Sequence, residues 1–330
     1  MFTNMYTWLL RLASLKLTLV IFVLFCVSVV LAYFTRWSSA WILALPFSLF
    51  AVNLSAAILS NAAFRRQPGL LVFHLALLAL VILLAISRLT YLKGHLEVSV
   101  GETFRGELTE YESGPLHPWH LQRARFWQGD FTIDYAPGLN RDRTRSQVRW
   151  QDDNGLMHEA AIGDHYPLIL AGYRFYTTHN KGFAPMFIWY PAAGGAPQQG
   201  TIHLPSYPAH EYQQALSWNI PGTGHEIWTL LEIDEVVLDE TRESEFKAPE
   251  KHRLVIRYNG QRRELRPGAS ILFEDGRLKY AGLRVWMGYA VFYDWTIPWL
   301  LGACVLTVLG MAWHFWRKFS ARPWQAESDN

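Results

Sequence analysis

Two histidines inside apolar parts of the chain are the residues best placed to do chemistry. His74 stands in the stretch Leu70 to Tyr91 (LLVFHLALLALVILLAISRLTY), where every other residue as far as Ile86 is apolar. About 20 such residues span a bilayer core of roughly 30 Å. An ionisable side chain in a spanning helix is costly, so it marks a candidate functional site. His74 comes five residues in from one end, roughly 6–8 Å deep at 1.5 Å per residue. Neutral imidazole is the commonest metal ligand, and a histidine on a bundle helix is a standard axial ligand for haem iron. Leu71, Leu75 and Leu78 lie on nearby faces and suit an apolar macrocycle. The competing reading is a hydrogen bond to a polar group on another helix, with no cofactor. His314, between Trp313 and Phe315 in the last apolar run, lies at a similar depth, because the two helices run in opposite directions. It is either a second ligand, clamping one iron within the chain, or part of an interfacial aromatic belt beside Arg317 and Lys318.

Other chemistry finds little support. Ten further histidines fall between the third and fourth apolar runs: His95, His117, His120, His158, His165, His179, His203, His210, His225 and His252. His117 and His120 (LHPWH) have a spacing seen in metal sites. Pro118 between them, and the lack of nearby cysteine or clustered acid, favour a loop surface instead. Cys26 and Cys304 both lie in apolar stretches, and there is neither C-x-x-C nor C-x-x-C-H. A thioredoxin-like site and a covalently attached haem are thereby excluded. No nucleophile elbow, Walker loop or zincin helix occurs, so nothing points to hydrolysis or phosphoryl transfer. Asp152-Asp153 and Asp239-Glu240 read as solvated turns. A net charge of +2 is too small to imply a nucleic-acid partner.

The elements that must position these residues follow from hydropathy. The predicted fold is a membrane protein with four transmembrane α-helices, three before and one after a large β-rich extracytoplasmic domain. Residues 1–92 form an N-terminal membrane domain with helices at about 15–34, 40–60 and 70–91. Residues 93–294 form the outer domain, and 295–330 the fourth helix (about 296–316) and a tail. The first apolar run is longer than a signal-peptide core and lacks a clear A-x-A site, which favours a retained helix. Asn53, in the second helix, bonds either a neighbouring helix or its own backbone. Arg65, Arg66, Pro68 and Gly69 mark the connector to the third helix. With the N-terminus inside, Arg11, Lys16, Arg65, Arg66, Arg317, Lys318 and Arg322 collect on the inner face, against Arg36 in the short outer loop. The positive-inside rule then puts both termini in the cytoplasm and the large domain outside.

The outer domain reads as an antiparallel sandwich or barrel. Strand-like runs occur at Leu96–Val100, Phe131–Tyr135, Leu168–Thr177 and Arg253–Tyr258. Asn154-Gly155, Asn259-Gly260 and Asp275-Gly276 are predicted type I′ hairpin turns. Tyr190–Gly200 (YPAAGGAPQQG) reads as a loop.

Several segments, in this order, resemble the ResB (Ccs1, CcsB) family of cytochrome c biogenesis proteins. They are SLKLTLVIFVLF, LLVFHLALLALVILLAISRL, GHLEVSVGETF, YPLILAGYRFYTTHNKGFAPMF and GLRVWMGYAVFYDWTIPWLLGACVLTVLG. The resemblance covers most of the chain and implies a part in the system II membrane complex that carries haem b outward and attaches it to apocytochrome c. It implies a ResC (CcsA)-like multi-span partner, a bacterial inner-membrane location with the domain periplasmic, and a lipid bilayer as surroundings. The family's haem-ligating histidine of the third helix maps onto His74, with the usual second ligand in the partner. The bond-forming step is then shared, so the chain is not expected to be an enzyme alone. The outer domain is short for the family and has no cysteine, which excludes covalent haem capture there. Two alternatives stand beside this: a haem-free membrane-anchored assembly protein, and a b-type cytochrome with an internal His74/His314 haem.

Overall fold

The computed structural model of the 330-residue chain describes residues 2–34, 39–209 and 213–320. Arg36, His210 and Arg322 lie outside the described residues. The chain divides into two compact units.

The first unit comprises Met1–Leu92, Glu112–Pro118 and Tyr293–Asn330. Its helices are α1 (Phe2–Leu12), α2 (Leu15–Phe34), α3 (Ser39–Ser60), α4 (Ala62–Arg66), α5 (Pro68–Thr90) and α6 (Ile297–Ser320). Four of them, α2, α3, α5 and α6, are long and apolar enough to cross a membrane. Their outward side chains, such as Leu19, Val20, Leu301 and Val308, are exposed, as a perimeter meeting lipid would be. The short helices α1 and α4 were not expected from hydropathy, since neither carries a long apolar run. In α1 the Arg11 guanidinium lies 5.5 Å from the Trp8 ring. Asn61 caps α4, accepting from Ala63 N–H at 2.9 Å. Asn53 ties helices together: it accepts from the Thr18 hydroxyl at 2.8 Å and donates to Leu12 O at 2.6 Å.

α5 and α6 touch at both ends, though about 200 residues separate them in sequence. At one end a Cβ on Gly69 would stand 2.7 Å from His314 N, and one on Gly310 2.6 Å from Phe73 N. Only the bare backbone of glycine permits that approach. At the other end the Ser87 hydroxyl donates to Asp294 at 2.8 Å. Asp294 also accepts from Thr296 N–H at 2.9 Å in the turn that leads into α6. The strap Glu112–Pro118 satisfies the carbonyls that end α5: Leu116 N–H bonds Leu89 O at 2.8 Å, and the His117 ring bonds Thr90 O at 2.9 Å.

The second unit, Lys93–Tyr111 and Trp119–Phe292, is β-rich. Its strands, with the strap's share of β3, begin with β1 (Leu92–Ser99), β2 (Thr103–Phe104), β3 (Glu110–Ser113), β4 (Phe126–Ala136) and β5 (Asn140–Gln151). Next come β6 (Met157–Ile162), β7 (Leu168–Leu170), β8 (Tyr173–Pro191), β9 (Gln198–Thr201) and β10 (Ala215–Asn219). The last are β11 (Glu226–Ile233), β12 (Ser244–Glu245), β13 (His252–Tyr258), β14 (Gln261–Leu265), β15 (Ser270–Phe273) and β16 (Gly276–Tyr293). They form three sheets. The first has the order β3-β1-β16-β8-β7, with β15 on β16 and β9 on β8. The second is β10-β11-β13-β14, and the third β12-β4-β5-β6 with β2 on β4.

The long strands β8 and β16 serve two packings. One half meets the third sheet, where Phe126 sits 5.4 Å from Phe175 and 5.8 Å from Tyr289. There the buried Tyr289 hydroxyl bonds Gln128 and Ser146, both at 2.6 Å. The other half meets the second sheet, through Phe187 at 5.1 Å from Trp218.

The expected turns are partly corrected. Asn259 (φ 47°) and Gly260 (φ 78°) do form a two-residue turn with both φ positive. Asn154-Gly155 instead sits in a five-residue loop that Asp152 holds by accepting from Asn154 and Leu156 N–H, each at 2.9 Å. The β15–β16 turn residues are Glu274 and Asp275. Gly276 opens β16 because a Cβ there would strike Trp189 and the Tyr190 carbonyl. The run Leu168–Thr177 is not one strand: Ala171 (φ 49°) and Gly172 (φ 83°) fold it into the β7–β8 hairpin. Tyr190–Gly200 is a loop only between Pro191 and Gln198.

Candidate functional site

His74 is half-buried on α5, with its ring 4.5 Å from Phe64 and 4.9 Å from Phe73. Its Nδ1 lies 2.8 Å from the carbonyl oxygen of Leu70, one helical turn back. A carbonyl only accepts, so Nδ1 carries the proton of the neutral ring and Nε2 presents its lone pair. No described residue bonds Nε2. A backbone carbonyl on one ring nitrogen is the usual way a metal-ligating histidine has its tautomer and orientation fixed. The residues present therefore fit an axial ligand role toward haem iron.

His314 is half-buried on α6, and its backbone abuts Gly69. Gly69 precedes His74 by five residues, which is about 7.5 Å of rise and about 140° around α5. The structure thus puts His314 against a different face of α5 from the one that carries His74. Rather than joining His74, His314 lines a cavity of about 380 Å³ with Arg66, Arg317 and Lys318. A second, apolar groove of about 720 Å³ runs along α5 and α6, with Leu75, Ala79, Trp299 and Leu306 in its walls. His74 lines neither.

The histidines of the outer segments have other occupations. His117 is 4% exposed and bonds Thr90 O, which corrects the loop-surface expectation. His120 bonds Ala171 O at 3.2 Å, and the two histidines fall in different units. Among the described residues, no group of three or more His, Cys, Asp or Glu could hold a metal ion. His158 bonds Asp152 at 2.9 Å, and with the Leu156 and Asn154 amides it holds that carboxyl below the usual range. His252 bonds the Tyr280 hydroxyl at 2.8 Å. His95, His165 and His179 are exposed.

Two relays were not legible in the sequence. His203 Nδ1 bonds Glu97 and its Nε2 bonds the Ser99 hydroxyl, both at 2.9 Å. That is the bond order of a hydrolase triad. Ser99, however, is fully buried and Trp286 stacks on the His203 ring, so no substrate carbonyl can reach the hydroxyl. The second relay runs from Asp275 to His225 Nε2 (2.5 Å) and from His225 Nδ1 to the Tyr258 hydroxyl (2.8 Å). It links the β10–β11 and β15–β16 turns to the end of β13, beside a cavity of about 390 Å³. Partners more than a hundred residues apart in the first relay, and 33 and 50 residues apart in the second, leave no local spacing to recognise.

One buried cation stands apart from all of these. Lys181 is 3% exposed, its ammonium 4.9 Å from the Tyr135 ring and 5.4 Å from the Phe246 ring. Burial, with Arg141 nearby, pushes its pKa down to about 8.

Comparison with known proteins bears on the membrane segment. No curated protein matches the chain. A solved structure described as "Cytochrome c Heme Lyase CcmF" is similar at a TM-score of 0.24 and 14% identity, over 92% of this chain. The chain spans only 35% of that protein, and a likeness at this score carries no argument. Residues 53–215, from the second spanning helix through His74 and into the outer strands, match the model of the ResB-like family, the family that the motifs resemble.

Proposed function

We propose that the chain is a haem-handling component of a cytochrome c biogenesis complex, with His74 Nε2 as an axial ligand to haem b. The observation that carries this is the bond from His74 Nδ1 to Leu70 O, which leaves Nε2 with its lone pair and no partner among the described residues. The ring belongs to a spanning helix inside the segment that matches the ResB-like family. Phe64 and Phe73 hold the imidazole plane and keep water from it. The haem is cargo, and its vinyl groups are what react with reduced cysteine thiols of the apocytochrome. The second axial ligand comes from a ResC/CcsA-like multi-span partner, since His314 is turned to another face of α5.

On this reading the chain is a multi-pass protein of a bacterial inner membrane. Its termini are cytoplasmic, and its β-rich domain is periplasmic, where it positions the apocytochrome. The bond-forming step is shared with the partner. Co-purification of the chain with its partner, followed by absorption spectra of the wild type and His74→Ala, tests the assignment. Loss of the Soret band and of cytochrome c maturation is expected. Unchanged haem content sinks the role of His74. A pair without a Soret band under any condition points to a haem-free assembly protein. A six-coordinate haem in the isolated chain, lost with either His74→Ala or His314→Ala, points to an internal b-type site.

A further inference from the structure

We propose that the cavity at the Gly69–His314 end of α5 and α6 binds the phosphate of an anionic membrane phospholipid. Three cations converge on it, Arg66 from α4 and Arg317 and Lys318 from α6, with Gln67, Pro68, Gly69 and His314 completing the wall. Like charges gathered at one place repel, and the ordinary remedy is a carboxylate nearby. Among the described residues, 2–34, 39–96 and 295–320 contain no aspartate or glutamate. Among the described residues none of the three cations has an acidic partner. An anion from outside the chain is therefore the group that the cavity lacks.

The position selects a lipid anion. Arg66 precedes the apolar run of α5 by a few residues, and Arg317 follows that of α6 directly. The cavity thus stands where the apolar spans end, at the level of lipid phosphates, and basic pockets between spanning helices are suited to such headgroups. Trp313, Phe315 and Trp316 beside it are exposed, ready to meet acyl chains. At roughly 30 Å³ per water, a volume of about 380 Å³ has room for a phosphate and part of its glycerol. The first turn of α5 at Pro68 and Gly69 adds the positive end of a long helix dipole. The positive-inside rule explains basic residues at this end of the bundle but not a walled cavity. Arg11, Lys16 and Arg65 answer that rule without lining it.

Those three residues supply the control. The full-length protein is purified in neutral detergent and loaded with phosphatidylglycerol or phosphatidylcholine, and retained lipid is counted by native mass spectrometry. Expected is one phosphatidylglycerol held at least tenfold more tightly than phosphatidylcholine. The triple variant Arg66→Gln/Arg317→Gln/Lys318→Gln loses it, while Arg11→Gln/Lys16→Gln/Arg65→Gln, of equal charge, keeps it. The single change Gln67→Glu places a carboxylate in the cavity wall at unchanged size. It is expected to weaken binding at least tenfold even if the triple variant misfolds. Equal retention in both triple variants, or undiminished binding in Gln67→Glu, overturns the proposal. So does displacement of the lipid by millimolar inorganic phosphate, which would mark a site for soluble phosphate. Haem that competes for the same cations and is lost in the same variants would also overturn it.

Discussion

The histidines of the two units are treated in opposite ways. In the outer unit His158, His203 and His225 each meet a carboxylate, and His203 and His225 use both ring nitrogens within the protein. In the membrane unit His74 bonds one backbone carbonyl and keeps its other nitrogen open. Cations divide similarly. Arg253 and Arg262 sit among Glu232, Asp234 and Glu264, whereas Arg66, Arg317 and Lys318 face a cavity that no acid lines among the described residues. These three histidines and two arginines of the outer unit complete their polar contacts internally, whereas His74, Arg66, Arg317 and Lys318 of the membrane unit leave theirs incomplete among the described residues. Groups left incomplete in this way mark places for something from outside the described residues.

The contrast is broken most directly through haem. His74→Ala is expected to abolish haem retention by the purified complex, a loss of at least tenfold, while His158→Gln and His225→Gln leave it intact. Equal loss from either outer variant, read from the Soret band per protein, would erase the distinction.

Next in size is Lys181, the one buried cation of the outer unit with rings in place of a carboxylate. Its pKa of about 8 in the fold lies below the ordinary lysine value of 10.5, so the unfolded chain binds more protons between those values. Stability from this group therefore rises as pH climbs from about 8 toward 10.5, by roughly 3 kcal/mol in all. Lys181→Met should remove that rise and raise stability at neutral pH. Buried Tyr280 and Tyr289, whose hydroxyls burial pushes upward, work in the opposite direction above pH 10. The difference between variant and wild-type denaturation curves isolates the lysine. A difference that is flat across pH 8–10.5 would refute the assignment.

Smaller effects sharpen the same comparison. Asn53→Leu removes the bonds to Thr18 and Leu12 and should cost about 1 kcal/mol of stability in detergent, since such bonds within membranes are modest. Tyr258→Phe breaks the outer relay at its hydroxyl and should cost about 1 kcal/mol, read from urea midpoints. If the membrane bond proves worth several times the outer one, the two units differ in energetic scale as well as in arrangement.

What could be read beforehand follows from range. The four spans are local signals about 20 residues long, and the structure has four helices long and apolar enough to cross a membrane, with the β-rich region between the third and fourth. Asn259-Gly260 was legible because both turn residues are local. Gly276 was misread because its cause, Trp189, lies far away in sequence. His117 looked like a loop residue because nothing nearby in the sequence shows that it ends α5. His74 stood out by hydropathy, but its fixed tautomer came only with the bond to Leu70. The Asp275–His225–Tyr258 relay and the cation cavity are assembled from remote segments, and composition says nothing of them.

The pairing of α5 with α6 also sets a timetable for synthesis. About 200 residues must be made between the two helices, which at 5–20 residues per second takes roughly 10–40 s. For that interval Gly69 and Ser87 have no α6 to meet, and the face that will receive it rests against lipid. His74 is therefore made well before its surroundings are complete, and the whole β-rich unit is synthesised before the helix that closes the bundle exists.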